Sequence, residues 1–408
     1  MTTGWMDLPP DAPFGVDNLP FGVFSTEEES PRVGVAIGDH VLDLAPLAAV
    51  EGLDGAHVFE SPTLNDFLSL GRPAWQAVRS WLTELLTHSG YADVVEAHLL
   101  DRSEVRLHLP VEVADYVDFY ASEHHATNVG QIFRPDAPSL PASWRHLPIG
   151  YHGRAGTVVV SGTDVVRPRG QRREAGATSP SYGPSTRLDI EAEVAYIVGV
   201  PTDLGRQVTV DEFEEHVFGV CLLNDWSARD IQAWESQPLG PFLGKSFATS
   251  LSPWVVPLEA LRPARVALPG QDPEPLPYLR GTVDGAGPGF DLRLEVRVNG
   301  SVVSTPPYAS MYWSPAQMLA HLTVNGARLR TGDVYASGTV SGPERAQRGS
   351  LLELTWNGTD PLTLDDGSER GFLLDGDEVT IGGWAVTGDS RRIGLGEVSG
   401  RVRPALAP

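Results

Sequence analysis

The sequence predicts a mainly β protein of the α+β class: a small β module at the N-terminus, then a larger, irregular and mostly antiparallel β structure. Three observations carry this. Several segments alternate apolar and polar residues with period two, among them RLDIEAEVAYIVGV, FDLRLEVRVNGSVV and SLLELTWNG. Turn chemistry recurs between them, in 34 prolines and in pairs such as Gly38-Asp39 and the hairpin signal Asp375-Gly376. Few stretches hold helical spacing. The 408 residues suffice for two or more domains and a large core.

In chain order, FGVFS and RVGVAIGDHVLDL read as strands, with a hairpin about Gly38-Asp39. Leu64, Phe67 and Leu68 then hold helical spacing from Thr63 until Gly71 stops it. Pro73 suits the first turn of a second helix, with Trp75, Val78, Trp81, Leu82 and Leu85 as its apolar stripe and His88, Ser89 and Gly90 at its end. RLHLPVEVADYVDFY returns to β character, which places a domain boundary near 110 and divides the chain into 1–110 and 111–408. TVVVSGTDVVRP reads as two strands about a turn. The apolar run Val217 to Leu223 leads into Asn224; with Asn224 as N-cap, a helix from Asp225 would align Asp225, Arg229, Gln232 and Ser236 on one face. A solvated face with one ion pair gives the same spacing. PGQDPEPLPYL (269–279) reads as a surface loop, and Ser314-Pro315 opens the helix SPAQMLAHL by N-cap and proline logic.

A net charge of −23, from 30 basic and 53 acidic residues, argues against nucleic acid and anionic membranes as partners. No stretch approaches the ~18 apolar residues of a membrane span. MTTGWMDLPPDAPFG lacks the basic and apolar regions of an export signal. The single cysteine, Cys221, sits in an apolar run; it excludes a disulfide framework, indicates a reducing compartment and reads as a core residue. All basic residues but Lys245 are arginine, so lysine survives where a compact charge on a slim stem is needed. GPFLGKS is not a phosphate loop: only three residues separate Gly240 from Gly244, and Pro241 interrupts the run of backbone donors.

The chemistry concentrates in two places. In RLDIEAEVAYI, Leu188, Ile190, Ala192 and Val194 share one strand face, and Asp189, Glu191 and Glu193 share the other. Neighbouring like charges repel. Water screens them on an exposed face, whereas a buried face requires a cation, and hard divalent ions take several carboxylate oxygens. Asp118 and Asp225, each at the end of an apolar strand, extend this to a four-acid candidate site for Mg²⁺ or Ca²⁺; both readings remain open at this level. In DFYASEHHATNVGQIFR, Ser122 caps a helix on which His124 and His125 are adjacent, so that only one faces a given site. A histidine acts as a base only with a carboxylate partner, which spacing does not reveal.

These segments together resemble a known family. DFYASEHHATNVG, HLPIGYHGRAGTVVVSGT, NDWSARDIQAWE, PLGPFLGKSFATSLSPWVVP, MYW, ASGTVSG and FLLDGDEV, with LPFGVFST and RVGVAIGDHVLDL, are similar to the fumarylacetoacetate hydrolase family, specifically its fumarylacetoacetase branch, over nearly the whole chain. The resemblance implies a small SH3-like N-terminal domain, a β-roll catalytic domain and a cytoplasmic homodimer. It implies hydrolysis of the C–C bond of 4-fumarylacetoacetate to fumarate and acetoacetate, the last step of tyrosine and phenylalanine catabolism. It assigns Asp118, Glu191, Glu193 and Asp225 to a divalent metal, Ca²⁺ or Mg²⁺, with Mn²⁺ as a third candidate. His125 corresponds to the general base and Glu353 to its partner. Arg229, Gln232 and Lys245 correspond to groups that bind and polarise the substrate carbonyl, and Tyr120, Arg134, Tyr151 and Thr339 to substrate contacts. Lys245 and Thr249 also match positions of a second cation, through backbone or hydroxyl oxygen, since an ammonium has no lone pair to give. Ser236 stands where the family has a substrate-contacting tyrosine, which leaves the width of the acyl pocket open. Two alternatives compete. One is a sister enzyme, such as an acylpyruvate hydrolase or an oxo-acid hydratase, isomerase or decarboxylase. The other is a non-catalytic cation-binding β protein, which would leave His125, Glu353, Arg229 and Lys245 without a purpose.

Overall fold

Gly38 adopts φ 55°, and the strands Arg32–Ile37 and His40–Asp43 pair antiparallel around it, as the turn chemistry predicts. In the computed structural model, which describes the chain except residues 1–4, 7, 10, 11, 175, 283–286, 288, 388–391 and 408, this hairpin is the centre of a five-stranded antiparallel sheet. Phe21–Ser25 and Arg106–Leu107 extend it on one side and Leu99–Asp101 on the other. The N-terminal stretch read as lacking an export signal lies partly outside the described residues. The helix Arg72–Thr87 begins on Pro73 and buries Trp75, Val78, Leu82 and Leu85; Trp81 stays half-buried.

The sheet that positions the site runs Gly150–His152, Tyr116–Phe119, Val334–Ala336, Ala192–Val198, Val217–Asp225, Thr249–Leu251 and Val158–Val160. Its ladders are antiparallel except where Val334–Ala336 meets Tyr116–Phe119 and Thr249–Leu251 meets Val158–Val160. Both faces are covered. Val194, Tyr196, Val220 and Leu222 join the larger core, with Leu292, Val296 and Ile381 of a second, five-stranded sheet. That sheet shows the predicted alternation in Leu292–Val298, where Arg293 and Arg297 are exposed between buried neighbours. Ala195, Ile197, Cys221 and Leu223 point the other way, into a core shared with Val33, Phe67 and Trp75 of the N-terminal region. Cys221 is therefore the packed residue the sequence implies. Phe218 meets Phe21, Phe67 and Trp75 edge-on, at centroid distances of 5.5, 5.7 and 5.2 Å.

Three local expectations are corrected. Val217–Asp225 is one unbroken strand, and the helix begins four residues later than expected, as Arg229–Glu235 with Ala228 at its N-cap. Asn224 does not cap it: its side chain accepts from the Glu191 amide, while Asp225 pairs with Thr249 in the ladder. Sheet pairing thus prevails over the cap signal. SLLELTW is not a strand but opens a short helix, Leu351–Leu354, because the Ser350 hydroxyl accepts from the Glu353 amide. Asp375-Gly376 does form a turn, with Gly376 at φ 94°, but not a hairpin: Leu373 bridges to Leu188, whereas Glu378–Val386 pairs with Leu292–Val298 and Arg392–Arg403. The helix Pro315–Thr323 starts as predicted, with Ser314 and Gln317 in a capping box. The loop 269–279 is largely exposed and pinned by Gln271, which donates to the Tyr312 carbonyl at 2.8 Å.

Candidate active site

Strand alternation builds the acidic centre. Tyr116, Ala195, Cys221 and Leu223 all face the core shared with the N-terminal region, so Asp118 and Asp225, two residues after Tyr116 and Leu223, and Glu193, two before Ala195, emerge at the end of that same face. Glu191 precedes Ala192–Val198, its amide held by Asn224. Asp118, Glu191, Glu193 and Asp225 each offer an oxygen, and these oxygens lie within 4.8 Å of one another, with all four residues buried. Of the two readings of the acidic strand face, the buried one is realised: Asp189, Glu191 and Glu193 are 0, 5 and 0% exposed.

Buried acids this close resist ionisation. Burial, then the neighbouring Asp225 charge, pushes Asp118 well above the ordinary carboxylate range; burial, then Asp118, does the same to Glu193. Asp225 is raised by burial against the pull of Lys245. Burial also raises Glu191, but Lys245, Arg229 and His125 outweigh it and hold Glu191 well below the usual range. Lys245 projects its ammonium among these groups, paired with Glu191 and with Asp225 at 2.8 Å and donating to Ser227 Oγ at 2.8 Å. Burial opposes its charge; Asp225 and Glu191 more than restore it, so it stays an ammonium. Even so, Asp118 Oδ1 and both oxygens of Glu193 have no hydrogen-bond partner. An all-oxygen carboxylate set with orphaned, buried acceptors fits a hard divalent ion.

His125 faces the site and His124 does not share its burial, as helix geometry requires. Ser122 caps the helix Glu123–Phe133. His125 Nδ1 lies 2.7 Å from Glu353 Oε2, and Tyr120 packs edge-on against the imidazole at 5.3 Å. Glu353 is wholly buried and accepts also from Asn128 at 2.9 Å, Ser341 at 3.0 Å and Ser350 at 2.8 Å. Burial would raise its carboxyl; the pairing with His125 and these donors hold it below the ordinary range. An anionic Glu353 on Nδ1 fixes the tautomer with Nε2 as acceptor.

Arg229 splits its guanidinium between Nε to Asp189 at 2.8 Å and Nη1 to Glu191 at 2.8 Å and Gln232 at 3.1 Å, leaving Nη2 buried without a partner. Thr339 Oγ1 is likewise buried and unpartnered. Tyr151 donates to Asp225 at 3.1 Å and Thr249 to Asp225 at 2.8 Å. Two expected contacts lie outside this knot. Arg134 is exposed just past its helix, donating to the Ser139 carbonyl at 3.0 Å. Ser236 caps the end of Arg229–Glu235, its hydroxyl turned onto the Gln232 carbonyl. Sequence reasoning missed Asn128, Ser341 and Ser350, and named Asp189 on the acidic face without giving it a role. Two of them carried signals: Asn128 follows His125 by three residues, and Ser350-Leu-Leu-Glu353 is a helix-start signature.

A cation-binding carboxylate cluster beside a histidine–glutamate pair defines a metal-binding hydrolase. Comparison with known proteins agrees. The model of the C-terminal part of fumarylacetoacetate hydrolases matches residues 115–403, and the fumarylacetoacetase N-terminal model matches 17–110. The fumarylacetoacetase of Homo sapiens is 48% identical over 420 residues, and that of Arabidopsis thaliana 45% identical over 418, with 98% of each chain covered in both cases. Among solved structures, the fumarylacetoacetate hydrolase of psychrophilic Exiguobacterium antarcticum shares the fold (TM-score 0.56, 19% identity, 95% of this chain and 99% of that one). So does the maleylpyruvate hydrolase of Sphingobium sp. SYK-6 in complex with manganese(II) and pyruvate (TM-score 0.50, 16% identity, 95% and 100% covered). The chain belongs to the fumarylacetoacetate hydrolase family and is a hydrolase of carbon–carbon bonds in ketonic substances.

Proposed function

We propose that this chain hydrolyses 4-fumarylacetoacetate to fumarate and acetoacetate, closing tyrosine and phenylalanine catabolism. One observation carries it: the buried His125–Glu353 pair stands beside the carboxylate centre in a chain 48% identical, over 98% of its length, to a fumarylacetoacetase.

The chemistry follows from the side chains. Asp118, Glu191, Glu193 and Asp225 would hold a divalent ion, Ca²⁺ or Mg²⁺ with Mn²⁺ as a third candidate, which supplies Lewis acidity toward the diketone oxygens. Thr249, through its hydroxyl, and Lys245, through its backbone oxygen, would hold a second cation. His125 Nε2 takes a proton from water, and the resulting hydroxide adds to the carbonyl next to the scissile bond. Glu353 keeps the imidazolium in place. Arg229, whose Nη2 is buried without a partner, would stabilise the oxyanion together with Gln232 and Lys245. As the tetrahedral carbon collapses to the fumarate carboxyl, the C–C electron pair leaves as the enolate of acetoacetate, and the proton held on His125 returns to that carbon. Tyr120, Tyr151 and Thr339 would line the substrate, and Arg134, at the rim, would meet a terminal carboxylate. Ser236, in place of a tyrosine, would leave the acyl pocket wider. We further propose the division into an SH3-like domain (1–110) and a β-roll catalytic domain (111–408), and a cytoplasmic homodimer.

Loss of the diketone absorbance of fumarylacetoacetate, followed with and without chelator, tests the activity; turnover of acylpyruvate alone would instead identify a sister enzyme. His125→Ala should lower kcat by roughly 10²–10⁴-fold while calorimetric titration shows metal affinity unchanged. Surviving activity would remove His125 as the base.

A further inference from the structure

Asp189 has no part in the chemistry above, yet it joins its two halves. It is fully buried at the end of the short strand Leu188–Asp189, two residues before Glu191. Its Oδ2 accepts from Arg229 Nε at 2.8 Å and from the Leu352 amide at 3.0 Å. Its Oδ1 accepts from the Leu351 amide at 2.7 Å and the Ile190 amide at 2.8 Å. Leu351 and Leu352 are the first residues of the short helix that carries Glu353, the partner of His125. One carboxylate therefore holds the guanidinium that would stabilise the oxyanion and the helix that orients the base.

We propose that Asp189 is a positioning residue that locks Arg229 and the Glu353–His125 pair into one geometry; this rests on the function proposed above. Three constraints support it. Arg229 is gripped at Nε by Asp189 and at Nη1 by Glu191, and this two-point hold aims the unpartnered Nη2. A four-residue helix has too few internal hydrogen bonds to hold its own position, so external acceptors set where Glu353 stands. Finally, all four Asp189 contacts come from N–H donors. An asparagine of the same shape must turn an NH₂ against one donor pair and lose the charge that orients Arg229.

Asp189→Asn is the test, measured with Arg229→Gln and the double variant. Asp189→Asn should lower kcat roughly 100-fold with KM within about threefold, since the groups it aligns act on the transition state. In the Arg229→Gln background the same change should cost less than about fivefold, because one unit is already broken. Deuterium uptake of residues 350–355 should rise in both single variants, including Arg229→Gln, whose link to that helix runs through Asp189. A kcat within about threefold of the parent, losses that multiply in the double variant, or unchanged uptake in Arg229→Gln would each overturn the coupling. Should Asp189→Asn fail to fold, the uptake of Arg229→Gln decides. Should the parent not hydrolyse fumarylacetoacetate, the substrate assignment falls and the uptake measurement still decides the coupling.

Discussion

Glu193 presents two buried carboxylate oxygens, and Asp118 one, with no hydrogen-bond partner among the described residues. Such acceptors are costly to bury unless a cation meets them. Chelation of divalent ions at about pH 7–8 should therefore lower the melting temperature, and addition of Mg²⁺ or Ca²⁺ should restore it, with a stabilisation of about 2.7 kcal/mol at a hundredfold excess over Kd. A melting temperature indifferent to chelator would exclude a tightly held ion. Away from the site, Asp333 is pushed up to about 6 by burial, although the Arg330 amide donates to it at 2.7 Å. An acid raised on folding contributes stability below its unfolded range near 4 that is lost as pH rises through about 6. Asp333→Asn should thus melt higher than the parent at about pH 8 and lose that advantage by about pH 5, as thermal scans across this range would show. At this scale the sequence was partly legible. The solitary Lys245 announced a special position, and the alternating acids announced a paired set. Which face was buried, and hence whether they bind or merely repel, was not.

Short elements place the groups of the proposed site, and their caps are the levers. Ser350 starts the Leu351–Leu354 helix and also donates to Glu353 at 2.8 Å. Ser350→Ala should cost about 1 kcal/mol of stability and lower kcat by roughly tenfold as Glu353 loses one of its donors; denaturant melts and steady-state kinetics on the same preparation check both. A kcat unchanged in the face of the stability loss would show that the cap acts on folding alone. The period-two pattern misread SLLELTW as a strand because leucines flanking a polar residue fit either period over so short a span. The Asp225 start failed differently. The local cap signal was real, but ladder pairing with Thr249 satisfied the same backbone, and tertiary hydrogen bonds outweigh a cap. The long helix Arg72–Thr87 and the helix Pro315–Thr323 were legible because apolar spacing and proline placement agreed there with the fold.

Across the molecule, one face of the central sheet is covered by the N-terminal region. Val33, Phe67 and Trp75 share a core with Ala195, Phe218, Cys221, Leu251 and Val255. Phe21 even bridges to Val255 by backbone. Residues 1–110 expressed alone should therefore fail to unfold cooperatively and should bind a dye for exposed apolar surface, because the aromatic wall they pack on is missing. A sharp, two-state melt of that fragment would show it to be self-sufficient. The same face ends in Asp118, Glu193 and Asp225, so this packing also shields the acidic centre from below and contributes to its low dielectric.

By itself the sequence determined the strand-rich character, the long helices, the buried cysteine and, through its long matching segments, the family and the residues to watch. These depend on local periodicity, turn chemistry and residue identity, all written along the chain. Only the tertiary structure decided that the acidic strand face is buried, that His125 Nδ1 and Glu353 Oε2, matched in the sequence only by resemblance, lie 2.7 Å apart across 228 residues, and that Asp189 ties Arg229 to the helix of Glu353. Those are properties of register and packing between distant segments, and no local pattern encodes which remote partner a buried charge will find.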